Sequence, residues 1–250
     1  MSFHVVIPAR FASTRLPGKP LLDIGGKSMI RRVADACERS LAFDIFVATD
    51  HPEIANQFSD ADKTVAVMTR ENHASGTDRV AEVAHLKGWG GDEIVVNVQG
   101  DEPGIPPAVI DQVAQLLHDD SAADIATLCT PIGSLEEFLD PNVVKVTTAA
   151  DGKALYFSRA PIPWNRESAT ALSTQREFPQ ANRHLGIYAY RVASLFRLTA
   201  LAVSALEQIE KLEQLRALQA GMRILVASAV AVPGPGVDTP ADLERARSIR

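Results

Sequence analysis

The sequence predicts an α/β fold in which a doubly wound, mostly parallel sheet is covered by helices on both faces. Short β-branched runs alternate with helical stretches through the first half of the chain, which is the order that parallel sheets produce. The run 94–98 is apolar almost throughout, as expected of a strand buried on both faces. The pattern changes after about Pro131. We therefore expect a smaller β-rich module inserted into the core.

The first strand is predicted at 5–7, where β-branched residues run together, and a loop rich in Arg, Pro and Gly follows it. A helix is predicted at 29–41. Its apolar side chains have the spacing of one helix face: Met29, Ile30, Val33 and Cys37. The other core elements carry the same signals, apolar β-branched runs for strands and helical apolar spacing for helices. In chain order they are strand 45–48, helix 53–58, strand 64–68, helix 77–87, strand 94–98, helix 107–117 and strand 125–128.

The second half of the chain begins with a predicted β-hairpin. Its two strands, 143–148 and 154–158, flank the turn dipeptide Asp151-Gly152. The polar segment 168–182 predicts a mobile loop. A second α/β stretch completes the chain, with strand 187–191, a long helix within 206–220, strand 224–230 and a helix from Pro240. We therefore divide the chain into a core at 1–131, an inserted β-rich module at 132–203 and a C-terminal part at 204–250 that completes the core.

The composition excludes several classes of protein. Of the 250 residues, 46% are hydrophobic and 22% are charged, which is globular rather than disordered composition. A net charge of −6 disfavours a nucleic-acid or anionic-membrane binder. The cysteines, Cys37 and Cys129, are too few for a disulfide framework or a zinc site. We expect a cytoplasmic protein, because no leader pattern or apolar run of membrane-spanning length is present.

The loop 8–20 after the first strand carries three cations, Arg10, Arg15 and Lys19. In open α/β sheets, ligands bind outside the carboxyl ends of the strands. Small residues in such a loop let backbone N–H groups approach an anion. The loop therefore predicts a triphosphate site, although it has neither the P-loop nor the dinucleotide glycine pattern. The alternative is a solvated basic loop whose prolines and glycine shape turns.

Two aspartates are candidate metal ligands. Asp101 follows the predicted strand 94–98, and Asp238 lies in a Pro/Gly-rich loop far along the chain. Mg²⁺ prefers a few carboxylates together with phosphate oxygens and water. The alternative for Asp101 is a turn residue. For Asp238, or its neighbour Thr239, the alternative is the N-cap of the last helix, which would begin at Pro240.

Three further segments have both a structural and a functional interpretation. Ser75 and Asp78 form a possible capping box, but the same helix start could hold a nucleotide. The segments 156–164 and 183–188 supply Arg, His and Tyr side chains that suit a carboxylate and sugar hydroxyls, although such residues are more often packed and hydrogen-bonded. The glutamates of 206–216 have the spacing of a solvated helix face with pairs to Lys211 and Arg216.

Together these segments resemble the 3-deoxy-manno-octulosonate cytidylyltransferases, also called CMP-Kdo synthetases. The matching stretches follow one another from end to end of the chain: IPARFASTRLPGKPL, VATDH, HASGTDR, VNVQGDEP, YFSRAPIPW, RHLGIYAYR, LEQIEKLEQLR and PGVDTPADLER. Small departures occur at Phe11, Ser28, Asp78 and Ala205, where the family usually has Tyr, Pro, Glu and Pro. The resemblance implies a sugar-nucleotidyltransferase fold with a Rossmann-like core, and a homodimer built through the inserted module.

The resemblance also implies roles for individual residues. The implied CTP-binding residues are Ala9, Arg10, Arg15, Lys19, Ser75, Gly76, Thr77 and Arg79. The implied acceptor-binding residues are Gln99, Arg159, His184, Tyr188, Glu213 and Gln214. Arg10, Lys19, Asp101 and Asp238 would be catalytic, and the two aspartates would hold Mg²⁺. The nucleotide would thus occupy the core, and the acceptor would meet the inserted module.

The expected reaction is in-line attack of the acceptor's anomeric hydroxyl on the α-phosphorus of CTP, which releases pyrophosphate. Positioning and electrostatics would supply most of the acceleration. The resemblance implies that the product serves lipopolysaccharide biosynthesis. Alternatives are an 8-amino analogue or a sialate-type acceptor, a nucleotide-binding module without catalysis, and a dinucleotide-dependent oxidoreductase. The missing glycine fingerprint disfavours the last of these.

Overall fold

The computed structural model of the chain describes residues 1–12, 16–59, 63–166, 178 and 180–248. Arg15 and most of the predicted mobile loop (168–177 and 179) lie outside these residues. The strands are β1 His4–Ala9, β2 Asp23–Ile24, β3 Lys27–Ser28, β4 Asp44–Thr49, β5 Thr64–Met68, β6 Ile94–Asn97, β7 Ile125–Pro131, β8 Lys145–Thr148, β9 Ala154–Ser158, β10 Asn182–Arg191 and β11 Ile224–Ser228. The helices are α1 Met29–Glu38, α2 Pro52–Ala55, α3 Gly76–Lys87, α4 Pro107–Asp119, α5 Leu135–Leu139, α6 Val192–Ala200, α7 Ala205–Glu210, α8 Gln214–Gln219 and α9 Pro240–Ser248.

The main sheet has the strand order β11-β7-β10-β6-β1-β4-β5. β1 pairs in parallel with β4 and β6, β4 with β5, and β7 with β11. β10 is antiparallel to both of its neighbours in this order, β6 and β7. The predicted α/β fold with a mostly parallel sheet is therefore confirmed. Of the helices in the described ranges, none combines the length and the apolar character needed to cross a bilayer.

Helices bury both faces of the sheet. Val5 and Ile7 of β1 pack in a cluster that includes residues of α1 and α4. Val6, which points to the other face, packs in a second cluster that includes residues of α3, α6 and α8. Successive side chains of a strand alternate between the two faces. A strand covered on both sides therefore has to be apolar along most of its length, as β1 is after His4.

The inserted segment 132–203 is only partly a separate structure. β8 and β9 form the predicted antiparallel hairpin. β10, however, lies within the main sheet between β6 and β7, although it falls within the range predicted for the module. The three-part division of the chain remains a prediction, and this strand shows that its middle part contributes to the core.

The long helix predicted within 206–220 is wrong. α7 ends at Glu210 and α8 begins at Gln214. Lys211, between them, has φ 53° and ψ 46°, which is left-handed backbone that cannot continue an α-helix. The apolar spacing suggested one amphipathic face, but Ile209 is 77% exposed, whereas Leu212 and Leu215 are buried.

Candidate active site

A pocket of about 330 Å³ opens at the carboxyl ends of β1 and β6. This is the edge where the loops of a parallel sheet converge on ligands. The predicted site residues that line it are Ala9, Arg10, Lys19, Ser75, Gly76, Arg79, Gln99, Asp101 and Asp238. The fold thus brings together side chains from five separate segments of the chain. Pro8, Pro20, His73, Ala74 and Gly100 complete the lining, and no role was predicted for them.

Two glycines let the loops of this pocket approach β1 closely. A Cβ atom on Gly100 would lie 2.9 Å from the carbonyl oxygen of Pro8. A Cβ atom on Gly76 would lie 3.2 Å from Cγ of Pro8. The first distance is too short for any side chain, because the obstacle is backbone rather than a movable group. The loop after β6 and the start of α3 can therefore both pack against the end of β1.

Lys19 joins the two predicted metal ligands. Its Nζ donates to Oδ2 of Asp101 at 2.7 Å and to Oδ1 of Asp238 at 2.9 Å. The lysine side chain is only 13% exposed. Two carboxylates this close to one another are stabilised by a cation between them. Residues separated by more than 200 positions in the sequence thus form a single charged centre.

The loop before α9 brings Asp238 to this centre. The N–H of Val237 donates to the carbonyl of Asp101 at 2.9 Å. At the start of α9, the N–H of Asp242 donates to Oγ1 of Thr239 at 3.2 Å, and the N–H of Thr239 donates to Oδ2 of Asp242 at 2.8 Å. Thr239 therefore caps the helix, and the Asp238 carboxylate contacts Lys19.

The donor set suits Mg²⁺. Within the described residues, no group of three or more His, Cys, Asp or Glu side chains is arranged to hold a metal. A pair of carboxylates is nevertheless a normal protein contribution to a magnesium site, because phosphate oxygens and water complete the coordination. The Lys19 ammonium already occupies the position of a cation between these oxygens. Asp101 and Asp238 could thus hold Mg²⁺ together with a bound triphosphate.

The start of α3 forms another wall of the pocket. The predicted capping box is confirmed: Ser75 accepts from the N–H of Asp78, and Asp78 accepts from the N–H of Ser75. Ser75 and Gly76 line the pocket, so the positive end of the helix dipole faces it. Thr77 is buried and does not line the pocket. Its hydroxyl donates instead to the carboxylate of Glu213.

Glu213 connects the predicted acceptor side to α3. Oε1 accepts from Ser75 Oγ at 2.9 Å and from Nη2 of Arg216 at 3.2 Å. Thr77 donates to Oε2. Burial raises the pKa of Glu213, and the hydrogen bonds from Thr77 and Ser75 oppose that shift. The alternative of a solvated glutamate face therefore does not describe this residue, although the intrahelical pair with Arg216 that it included is present.

His184 and Tyr188 lie on β10, which pairs with β6, and neither of them lines the pocket. Burial lowers the pKa of His184 to about 3, so the imidazole is neutral at pH 7. Its Nε2 lies 2.9 Å from Oγ1 of Thr127, and its ring centroid is 5.2 Å from that of Tyr188. Tyr188 lies opposite Asn97 of β6, whose Oδ1 accepts from Nε2 of Gln99 at 3.3 Å. These residues thus extend the site from the pocket towards β7.

The remaining acceptor residues are held by protein contacts. Arg159 donates from Nε to the carbonyl of Glu210 at 2.6 Å and from Nη1 to the carbonyl of Pro141 at 2.8 Å. Gln214 is 8% exposed. Neither residue lines the pocket. Their predicted contact with an acceptor remains a prediction.

The sequence interpretation missed two acidic residues next to the site. Burial and the neighbouring charge of Asp101 raise the pKa of Glu102 to about 7, and Arg183 opposes that shift. Asp50, in the VATDH stretch, pairs with Arg79 at 2.8 Å. The position of Asp50 directly after a strand was a signal that could have identified it, because strand ends meet at this edge. Nothing in the local sequence indicated the burial of Glu102.

Comparisons with known proteins show which family the chain resembles. The model of the cytidylyltransferase family matches residues 4–224. A 3-deoxy-manno-octulosonate cytidylyltransferase of Alcanivorax borkumensis is 52% identical over 248 residues, covering 99% of this chain and 98% of the relative. The protein of the same name from Yersinia enterocolitica is 53% identical over 249 residues, covering 100% and 98%.

Solved structures give the same result. A CMP:2-keto-3-deoxy-manno-octonic acid synthetase complexed with CTP superposes with a TM-score of 0.88 at 44% identity, covering 99% of this chain and 97% of that one. A cytidylyltransferase from Leptospira borgpetersenii is 14% identical, with a TM-score of 0.57 over 99% of this chain and 85% of that one. The second similarity concerns the fold alone.

Proposed function

The chain belongs to the 3-deoxy-manno-octulosonate cytidylyltransferase family, and on that premise we propose that it transfers CMP from CTP to 3-deoxy-manno-octulosonate and releases pyrophosphate. One observation carries the proposal: Lys19 holds Asp101 and Asp238 together in a pocket that the start of α3 also lines. A cation, a pair of carboxylates and a helix N-terminus thus surround the same pocket. Such a combination suits a metal-bound triphosphate better than an uncharged ligand.

The chain's own residues would act by position and charge. Arg10 is exposed at the pocket and Lys19 is partly buried there, so both cations can face phosphate oxygens. Charge that develops on those oxygens during in-line attack is stabilised by fixed cations and helix N–H groups. Gln99 lines the pocket and donates to Asn97, which lies opposite Tyr188 on β10. Gln99 and Tyr188 would orient the acceptor hydroxyl towards the α-phosphorus.

Mg²⁺ is part of the proposal. Asp101 and Asp238 would hold it, and the ion would supply charge neutralisation at the phosphates and Lewis acidity towards oxygen ligands. The convergence of the two carboxylates on one ammonium supports this assignment.

A homodimer, a cytoplasmic location and a role of the product in lipopolysaccharide biosynthesis complete the proposal. The apolar side chains of Leu155 and Trp164 are 60% and 51% exposed in the segment 132–203. Large apolar side chains that stay exposed are candidates for a contact surface. Free, buried thiols at Cys37 and Cys129 suit a reducing compartment.

Pyrophosphate release tests the reaction directly. The assay offers each of the four nucleoside triphosphates with 3-deoxy-manno-octulosonate, with and without Mg²⁺. We expect release with CTP that requires both the sugar and the metal. Asp101→Asn should lower the rate by about 100-fold or more, because it removes a charge that acts on the transition state.

Asp111→Asn is the matched control. Asp111 is a half-buried aspartate whose Oδ1 accepts from the N–H of Leu41 at 2.8 Å, away from the pocket. Its variant should keep wild-type activity. If folded protein binds CTP but releases no pyrophosphate with any triphosphate, this acceptor is wrong. Parallel assays with the 8-amino analogue and with a sialate then decide between the alternatives.

A further inference from the structure

Arg79 is a buried cation in the wall of the pocket. It is 4% exposed. Its Nη1 donates to Oγ1 of Thr69 at 2.5 Å, and its Nη2 donates to Oδ2 of Asp50 at 2.8 Å. Burying a guanidinium costs free energy unless it is paired and hydrogen-bonded. Asp50 therefore determines both the charge balance and the orientation of Arg79.

The second oxygen of Asp50 contacts the phosphate loop, the loop 8–20 that carries Arg10 and Lys19. Oδ1 accepts from the N–H of Phe11 at 3.3 Å. The Phe11 ring also stacks on His51, with centroids 3.9 Å apart and planes 14° apart. Phe11 directly follows Arg10, so this contact fixes the backbone at the point where the loop leaves β1. One carboxylate thus ties together the ends of β1 and β4 and the side chain of Arg79 on α3.

These contacts belong to one half of the pocket. The charged centre consists of Lys19, Asp101 and Asp238. Gln99 also lines the pocket and is assigned to the acceptor. The part of the wall between β1 and α3 that holds Ala9 and Arg79 is left for the nucleoside, next to the N-terminus of α3 that faces the phosphates. We propose that Asp50 is a positioning residue that holds Arg79 and the start of the phosphate loop in the arrangement that binds the nucleoside half of CTP. This inference rests on the proposed function.

A purely structural ion pair would behave differently. Its loss would lower stability and affect both substrates alike. A positioning role affects the binding of the nucleotide and leaves the acceptor unaffected, because within the described residues the side chain of Asp50 bonds to Phe11 and Arg79, on the nucleotide side of the pocket. The decisive measurement is therefore the comparison of the KM for CTP with the KM for the acceptor, supported by direct CTP binding.

The test variant is Asp50→Asn, which keeps the size of the side chain and removes its charge. The control is Asp124→Asn. Asp124 also uses both oxygens, accepting from Ser194 Oγ and from the N–H of Arg223, each at 2.8 Å. It directly precedes β7 and lies at the opposite end of the parallel strands. Calorimetric titration with CTP and Mg²⁺, steady-state kinetics and thermal melting are measured for both variants.

We expect Asp50→Asn to weaken CTP binding and to raise the KM for CTP by about tenfold or more, the effect of losing one charge-assisted contact. The KM for the acceptor and kcat should change less than about threefold. Asp124→Asn should leave all three kinetic quantities near wild type, whatever its effect on the melting temperature. Wild-type CTP affinity in Asp50→Asn, or an equal rise of both KM values, would overturn the inference.

Arg79→Lys provides the second variant if Asp50→Asn does not fold. Lysine keeps the charge but cannot reach Asp50 and Thr69 together with a planar fork, so the same CTP-specific loss is expected. An unchanged KM for CTP in this variant counts against the inference. A wild-type protein that binds no CTP overturns the proposed function, and this inference with it, whereas failure of the inference alone leaves wild-type CTP binding intact.

Discussion

At the scale of single residues, Lys19 is the side chain on which the charged centre depends. Its ammonium contacts Asp101 and Asp238 at 2.7 and 2.9 Å. Removing this positive charge would increase the repulsion between the two carboxylates. A divalent ion could then bind between the two carboxylates, in the position that the Lys19 ammonium occupies. Lys19 and Mg²⁺ should therefore be partly interchangeable for stability, although not for catalysis.

We expect Lys19→Met to lower activity by about 100-fold or more, because a cation that faces the phosphates is lost. In the absence of divalent ions, its melting temperature should fall below that of the wild type. Added Mg²⁺ should raise the melting temperature of the variant more than that of the wild type. Lys27→Met is the control, because Lys27 pairs with Asp35 on the surface and its side chain is 54% exposed. Equal Mg²⁺ shifts in all three proteins would contradict the assignment of the aspartates.

His184 gives a second prediction, for the pH dependence of stability. Its folded pKa, about 3, lies below the ordinary value of 6.5, so the unfolded state binds the proton more readily. Stability contributed by His184 is present above pH 6.5 and is lost as the pH falls from 6.5 towards 3. The limiting slope is about 1.4 kcal/mol per pH unit, reduced because part of the side chain is exposed.

Urea unfolding at pH 7.5 and pH 5 measures this effect in the wild type and in His184→Gln. Glutamine can still bond Thr127 but does not titrate, so the variant should lose less stability between the two pH values. The other histidines contribute equally to both proteins and cancel in the difference. Identical losses in the two proteins would show that His184 is not buried as a neutral imidazole.

At the scale of elements, the connection between α7 and α8, residues 211–213, lies between two glutamates' contacts: Glu210 binds β9 and Glu213 binds the start of α3. The left-handed backbone at Lys211 separates two glutamates that face different neighbours. Glu210 accepts from Ser158 Oγ at 2.7 Å and from the N–H of Arg159 at 2.8 Å. Glu213 accepts from Ser75 and Thr77 at the start of α3. A continuous helix would not place both carboxylates in these positions, so the break gives each acidic residue its partner.

A double-mutant cycle of Thr77→Val and Glu213→Gln tests this link. Each single variant should lower the free energy of unfolding by about 1–3 kcal/mol, because a buried polar group loses its partner. The double variant should be less destabilised than the sum of the two, by about 0.5 kcal/mol or more. Urea unfolding gives these values. Additive effects would mean that the two side chains do not interact in solution.

At the scale of the whole molecule, the sheet determines which surfaces remain available. Helices cover both faces of the sheet, and β8 and β9 extend from β10 beyond its main path. Leu155 on β9 and Trp164 beyond it are largely exposed. If the protein is a homodimer, exposed apolar side chains such as these are expected to contact a second copy of the chain.

Leu155→Glu should therefore convert a dimer into a monomer, because a charge would be buried at the contact. Light scattering coupled to size-exclusion chromatography measures the mass. Leu41→Glu is the control, since Leu41 is 73% exposed and lies just after α1, away from the hairpin. A monomeric wild type, or a Leu155→Glu variant that remains dimeric, would remove this surface from the proposed interface.

The sequence by itself determined the class of fold, because alternating apolar patterns are local and report directly on burial. The family resemblance of its motifs also named nine residues that the structure places in the lining of the pocket. The sequence could not determine that Asp101 and Asp238 meet at Lys19. Their proximity depends on a hydrogen bond from the N–H of Val237 to the carbonyl of Asp101, two residues far apart in the sequence. Nor could it place β10 inside the sheet or break the helix at Lys211. Those features depend on pairing between distant segments, and only the tertiary structure sets which partner each strand and carboxylate finds.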